Sequence, residues 1–354
     1  MSEAGGPFDP RANAPSETGG GPATATSRPG EFEIIERYLA PLASDPGAAG
    51  LSDDAAVITA EPGTDLVVTK DALAADVHFF ADDPPGSIAS KVLRANLSDL
   101  AAKGATPAGY LMALALPSDW TADWLEAFVA GLADDQDRYG ITLLGGDTLK
   151  ASGGLTISIT AFGRLPAGSI VRRSGAKPGD RVFVTGTIGD AALGLALRFE
   201  PGKASAWGLD DAMAAHLADR YLWPQPRTTA AAAVRRFASA ALDVSDGLIG
   251  DLAHMASSSG VAARIGAADV PLSPAVAQAS RIDPAAFEMA LTGGDDFEIL
   301  ASVPEQSCDG FRDALTAIGV PVTEIGSIEA GEGIVVVGRD GQPMTLAGTS
   351  FSHF

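Results

Sequence analysis

The sequence predicts an α/β or α+β protein built as two domains. The chain has 354 residues, 46% of them apolar, enough for two cores of ordinary size. Helical and strand-like periodicities alternate along it. One stretch dense in glycine, proline and charge, residues 165–180, separates the periodic segments into two groups.

Residues 1–29 are rich in Gly, Pro, Ser, Thr and Ala and poor in large apolar side chains, so they read as a disordered tail. From Glu31 a helix is predicted, with Phe32, Ile34, Ile35, Tyr38 and Leu39 as its stripe. Strands follow near 55–60 and 65–70. A helix over 87–103 turns Ile88, Val92, Leu93 and Leu100 inward, LMALALP is a strand, and a helix over 121–139 carries Trp124, Leu125, Phe128 and Leu132. ITLLGG and LTISITAFGRL add two strands, closing a first domain at 30–166. The second, 167–354, opens with the strand, glycine turn and helix of RVFVTGTIGDAALGLALR. Gly186, Gly189 and Gly194 do not fit the dinucleotide fingerprint and read as helix–strand packing. Alanine-rich helices cover 210–221 and 227–238. Then come ASAALDVSDGLIGDLAHMA, the strand VAARIG, helices near 284–291 and 308–318, and the strands FEILASV, TEIGSI and GIVVVG. The two halves show no plain repeat.

Charge narrows the function classes. With 24 Lys and Arg against 45 Asp and Glu, the net charge is −21, which argues against nucleic-acid binding and against anionic membranes. Most of that charge serves solubility. The single cysteine, Cys308, excludes an internal disulfide and a Cys-based zinc or iron–sulfur site. His78, His216, His254 and His353 lack metal-ligand spacing. MSEAGG shows no secretory signal, and no apolar run approaches the roughly 18 residues of a membrane span, so the expected location is cytoplasmic. A P-loop motif and the His-Arg-Asp and Asp-Phe-Gly pair of protein kinases are both absent.

The acidic residues are the informative ones. In LDVSDGLIGDL (242–252), Asp243, Ser245 and Asp246 stand where an apolar strand gives way to a glycine-opened helix. Two readings fit: Ser245 or Asp246 caps the helix, or the carboxylates hold Mg²⁺ against a phosphate at the helix start. Four more clusters have the same character: Asp53 and Asp54; Asp71, with His78 seven residues on; Asn96 and Asp99, one helical turn apart; and Asp147 after two glycines. Asp53 reads best as a turn residue, and Asp99 could instead pair with Lys103 at i+4. Gly146 either lets a nucleotide approach the backbone or makes a tight turn. Aspartates placed this way suit several Mg²⁺ ions held against a polyphosphate.

GEFEIIERYLAPLA, SDDAAV, TKDALAADVHF, ANLSDLAAKGATP, LLGGDT, RRSGAKPGD, VTGTIGDAALGL, LDVSDGLIGDL, LTGGDDFE and FSHF occur in this order. In that order the chain, from Gly30 to Phe354, resembles the thiamine-monophosphate kinases, within the superfamily of aminoimidazole-ribonucleotide (AIR) synthetase and selenophosphate synthetase. The resemblance implies two AIR-synthetase-like domains, with N-terminal strands of two subunits pairing across a homodimer. It implies ATP as co-substrate, thiamine monophosphate as acceptor, and several Mg²⁺ ions. The metal set it implies is Asp54, Thr69, Asp71, Asp99, Asp147, Asp243 and Asp246, with Asp71, Asp147 and Asp243 central to catalysis. Gly146, Asp147, Arg173 and Ser245 would meet ATP, with Arg172 competing for the place of Arg173. His78, Asp295 and Phe351 would hold the thiamine end. The chain departs from the family pattern at Lys70, often threonine, at Asp295, usually glutamate, and at Phe297, usually tyrosine. Two other functions stand beside this one: another ATP-using synthetase of the superfamily, and an acidic divalent-cation-binding protein without turnover. The N-terminal region lacks the reactive cysteine of selenophosphate synthetases.

Overall fold

The computed structural model describes residues 29–338 and 340–344. The chain enters through a short helix, α1 (Glu31–Ile34), which continues as a π-helical turn over Ile35–Leu39 and a 3₁₀ turn over Ala40–Leu42. Ile34, Tyr38 and Leu39 are buried, but Phe32 is 83% exposed. Two residues along a helix is about 200° around it, so Phe32 faces away from Ile34 and leaves the expected stripe. Residues 52–60 form no strand. Val57 N–H bonds to Gly47 instead, and Ala56 and Ile58 pack with Leu144 and Phe162. The alternation of that segment reflects cover laid over a sheet, not membership of one.

The first sheet holds β1 (Thr64–Ala74), β2 (Thr106–Leu116), β3 (Leu143–Lys150) and β4 (Thr156–Pro166) in the order β1-β4-β2-β3. β2 and β3 are parallel and the other pairs antiparallel. Two long helices, α2 (Pro85–Ala102) and α3 (Ala122–Tyr139), supply the other side of this core. Thr121 caps α3 through the Trp124 N–H, and left-handed Gly140 ends it.

The second unit contains β5 (Arg181–Thr185), α4 (Asp190–Phe199), α5 (Lys203–Ala206), α6 (Asp211–Leu222), α7 (Ala231–Phe237), β6 (Ala240–Asp243) and α8 (Leu248–Ser259). After these come β7 (Ala262–Gly266), α9 (Pro274–Ile282), α10 (Pro284–Thr292), β8 (Ile299–Val303), α11 (Cys308–Ala317), β9 (Val322–Glu329) and β10 (Gly333–Val337). Its sheet runs β10-β7-β9-β5-β8-β6, antiparallel except for β10 with β7. Helices α5 and α9 lie where the sequence predicts no helix. α9 is nine residues with three alanines, too weak a stripe to read, although Ser273 caps it and Pro274 opens it.

α2 joins the two units. It is buried almost all round, which its many Ala and Ser side chains permit. Ala101 and Ala102 belong to the same apolar cluster as Phe183, Ile299 and Ala301. Arg94 spans the junction, ion-paired to Asp135 at 2.6 Å and bonded to the Pro224 carbonyl at 2.9 Å. Among the described residues no helix is long and apolar enough to cross a membrane.

Candidate active site

Along β1, Val67, Thr69, Asp71 and Leu73 share the face turned to the core, and Leu66, Val68, Lys70 and Ala72 share the other. Thr69 donates its hydroxyl to the Asp99 carboxylate on α2. Asp99 lies in the last turn of α2, the negative end of the helix dipole, where a carboxylate is disfavoured. The third contribution is the β6–α8 loop. Asp243 ends β6, 7% exposed, and Ser245 and Asp246 follow.

That loop is shaped by a residue the sequence reading passed over. The Asp251 carboxylate accepts from Ser245 N–H at 3.1 Å and Asp246 N–H at 3.0 Å. Neither Ser245 nor Asp246 caps α8: the N-cap position is Gly247, which makes no side-chain cap. The capping reading of LDVSDGLIGDL is therefore replaced. Asp251 folds the loop back and leaves the side chains of Ser245 and Asp246 uncommitted to the helix. The 293–298 segment braces the loop from the other side, with Asp295 N–H on the Ser245 carbonyl at 2.9 Å and Phe297 N–H on Val244 at 2.8 Å. Gly294 is required there, since a Cβ would stand 2.1 Å from the Ser245 oxygen.

These elements bring carboxylates into mutual repulsion. Burial, with Asp99 and Asp246 adding to it, pushes the Asp71 carboxyl up to about 6, while Lys70 pulls the other way. Burial and then Asp99 hold Asp243 well above the ordinary range, against the Ser98 hydroxyl and Lys103. Burial lifts Asp251 to about 7. Lys103, at the end of α2, is lowered by burial although Asp243 and Asp99 favour its charge, and Arg173 and Arg172 add to the lowering. Its ammonium donates to the Ala241 carbonyl at 2.8 Å. Arg173 is exposed on the linker and enters the site's field on the Lys103 side.

Not every expected residue arrives here. In register across the sheet, Asp71 pairs with Ile159, Ile159 with Met112, and Met112 with Gly146. Three strand spacings, about 14 Å, separate Asp71 from Gly146. Asp147 follows Gly146 in β3 and shares the outer face with Ala113, opposite the face of Asp71. Gly146 answers to strand pairing, because a Cβ would meet the Met112 carbonyl at 1.9 Å. Asp54 is exposed in the segment that covers the same outer face, and Asp53 accepts from its N–H at 2.8 Å, as a turn residue does. Thr69, Asp71, Asp99, Asp243 and Asp246 are thus gathered, while Asp54, Gly146 and Asp147 lie across the sheet.

At the other end of α2 stand the residues expected at the acceptor. His78 is half-buried, and its Nδ1 accepts the Ala74 N–H at 3.1 Å, which places the proton of the neutral ring on Nε2. Asp295 has a left-handed backbone, φ +69°, and lies 2.7 Å from Lys91. Phe297, in place of the usual tyrosine, is buried in the core. Phe351 lies outside the described residues. The sequence reading also missed Lys91, since a lysine inside a helix of small residues gives no pattern to read; Lys103, read there as a possible i+4 partner of Asp99, bonds the Ala241 carbonyl instead. Asp251 could have been found as the last acid of its motif, beside a helix start with no side-chain cap.

Oxygen donors and raised carboxyl groups fit a hard divalent cation such as Mg²⁺. Among the described residues no three His, Cys, Asp or Glu side chains already converge on one metal position. Mg²⁺ commonly takes one or two carboxylates per ion and completes its shell with phosphate oxygens and water.

Comparison with known proteins places the fold first. Residues 52–165 match the family model for AIR synthase related protein, N-terminal domain, and residues 177–339 that for the C-terminal domain. Within that class, a Thiamine-monophosphate kinase of Caulobacter vibrioides is 45% identical over 331 residues, 92% of each chain. The crystal structure of Thiamine-monophosphate kinase from Stenotrophomonas maltophilia K279a superposes with a TM-score of 0.78 at 39% identity, covering 89% of this chain and 98% of that one. AaThiL complexed with AMPPCP and TMP gives 0.72 at 29% identity, over 92% and 97%. The chain belongs to the thiamine-monophosphate kinase family.

Proposed function

We propose that this protein transfers the terminal phosphoryl group of ATP to thiamine monophosphate, giving ADP and thiamine diphosphate by direct in-line transfer. The observation that carries this reading is the meeting of Asp71, Asp99, Asp243 and Asp246 between β1, α2 and the β6–α8 loop, with Asp71 raised to about 6 and Asp243 well above its ordinary range. Carboxylates held this way call for cations, and a phosphate monoester acceptor needs what cations give. Its second pKa is about 6, so at neutral pH it is already a nucleophile and requires no general base. The obstacle is repulsion between two polyanions, and positioning with charge neutralisation overcomes it.

The residues divide that work. Thr69, Asp71, Asp99, Asp243 and Asp246 would hold Mg²⁺, which when bound supplies neutralisation of the phosphate oxygens. Arg173 offers a planar fork to ATP phosphate, and Ser245, freed from helix capping by Asp251, offers its hydroxyl. His78, Asp295 and Phe351 take the thiamine end. Asp54, Gly146 and Asp147 reach the site in a homodimer. β1 and β3 are the two open edges of the sheet, and its outer face exposes Leu66, Val68, Leu111 and Leu149, a surface suited to a second copy. With β3 of one copy beside β1 of the other, Asp147 stands next to the Asp71 edge. The expected setting is thiamine diphosphate biosynthesis in the cytoplasm.

The test is a product assay with ATP, Mg²⁺ and thiamine monophosphate, the thiamine species separated by chromatography. Thiamine diphosphate with equimolar ADP is expected. ATP turnover without thiamine diphosphate would sink the proposal in favour of a different acceptor.

A further inference from the structure

Lys91 sits in the second turn of α2, only 3% exposed. Its ammonium is 2.7 Å from Asp295 Oδ2, off the line of a hydrogen bond, and 4.0 Å from the centre of the Tyr221 ring. Burying an ammonium costs several kcal/mol unless it is compensated. Here the compensation is one half-exposed carboxylate and one aromatic face. A methionine would fill the same slot in α2 without that cost, so packing alone does not account for the charge.

The contacts around Lys91 run in both directions. Toward the metal loop, Asp295 is fixed by its own N–H on Ser245. Toward β1, the Tyr221 hydroxyl bonds Asp83 at 3.3 Å, and Asp83 also receives the Phe80 N–H at 2.9 Å and Arg198 Nε at 3.2 Å. Phe80 follows His78 by two residues. Lys91 therefore stands midway in a chain of contacts that links the His78 turn of the first unit to the Asp295 loop of the second. Along α2 it lies eight residues from Asp99, about 12 Å at 1.5 Å per residue. That separates it from the phosphate end by roughly the length of a small organic phosphate.

We infer that Lys91 is a positioning residue for the acceptor's organic end: its ammonium aims the Asp295 carboxylate and, through Tyr221 and Asp83, sets its place relative to His78. Asp295 has one methylene fewer than a glutamate and an unusual backbone, so its carboxylate has little reach of its own. The ion pair fixes Oδ2 and leaves the other oxygen to the ligand. This inference rests on the reading of His78 and Asp295 as the acceptor end.

Steady-state kinetics with each substrate varied, together with melting curves, test it. Lys91→Met should raise KM for thiamine monophosphate about tenfold, the size of one lost charged hydrogen bond. KM for ATP and kcat should change less than about threefold, the mark of an interaction lost equally from ground and transition states. Lys91→Arg should recover most of the loss. Asp295→Asn should give the same split, and adding Lys91→Met to it should cost less than about twofold more, since the two act as one unit. An unchanged KM for thiamine monophosphate in Lys91→Met, an equal rise in both KM values, or full additivity in the double variant would overturn the inference. Should Lys91→Met fail to fold, Asp295→Asn decides: an unaltered acceptor KM removes the role. Wild-type protein that makes no thiamine diphosphate would instead defeat the functional reading, before any variant is compared.

Discussion

Glu298 is matched bond for bond, whereas around Asp243 the nearest charged neighbours are mostly other carboxylates. Glu298 is fully buried and accepts from Thr185 at 2.7 Å, from Arg227 at 2.7 and 2.5 Å, and from Arg220 at 3.0 Å. Its neighbour Asp296 accepts the Gly189 N–H at 2.7 Å at the start of α4, but burial, with Asp190 and Glu298 beside it, holds that carboxyl well above the ordinary range. Asp243, also buried, has the Ser98 hydroxyl and Lys103 set against Asp99 and Asp251. The two regions are joined by hydrogen bonds between Val244 and the 297–298 backbone, so one chain carries both arrangements side by side. Glu298, satisfied by its own donors, is scaffold; in the function proposed above, Asp243, set against other carboxylates, would meet a cation that arrives with the substrate.

That contrast can be broken by substitution. Glu298→Gln leaves Arg220 and Arg227 facing a neutral partner, and should destabilise the fold by about 3–5 kcal/mol with little change in turnover per folded molecule. Denaturant titration reads the first quantity and active-fraction assays the second. Asp243→Asn should do the opposite, lowering kcat by about 100- to 1,000-fold, the scale of one lost preorganised charge stabiliser, with no fall in melting temperature. A destabilised Asp243→Asn with normal turnover would make Asp243 scaffold too. His78→Ala comes next, with KM for thiamine monophosphate raised about tenfold and KM for ATP little altered; an unchanged acceptor KM would move His78 out of the site.

The smallest effect concerns pH. Asp71 has its folded pKa raised from 3.8 to about 6. A carboxyl raised on folding binds its proton more tightly in the native state, so its contribution to stability is full below about 4 and is lost as the pH rises through about 6. Metal-free protein should therefore melt progressively lower across that window. Mg²⁺ should flatten the slope at its upper end, and Asp71→Asn should remove it. A metal-free melting temperature that climbs from pH 4 to 6 in the wild type, and not in Asp71→Asn, would contradict the arrangement.

Much of this could be read from the chain before folding. The long helices α2 and α3 announced themselves because sustained apolar periods over five turns leave little ambiguity, and β1, β2 and β4 because their alternation is regular. Residues 52–60 misled for a related reason: a segment laid flat over Leu144 and Phe162 alternates like a strand without pairing as one. The acids of the proposed site stand out in the sequence as types and spacings, since carboxylates at element ends are costly without a purpose. Their sharing of one face was not, because the face of a strand residue depends on register, and register is set by partners far along the chain. Asp147 shows this best. Its motif reads like its companions', yet one residue's parity in β3 sends it to the other side of the sheet. Lys91 was invisible for the converse reason, as its meaning lies in Tyr221 and Asp295, 130 and 204 positions away.

The placement of Asp147 on the far side of the sheet has a consequence for genetics as much as for chemistry. In the homodimer proposed above, with Asp147 lent by the neighbouring copy, a protein carrying Asp147→Asn and another carrying Asp243→Asn would each be inactive alone but damaged in different halves of the same composite centre. Co-expressed, they would assemble mixed pairs in which one of the two centres inherits both intact carboxylates. Random pairing would return about a quarter of the wild-type centres, and two null alleles would sustain growth together where neither does separately.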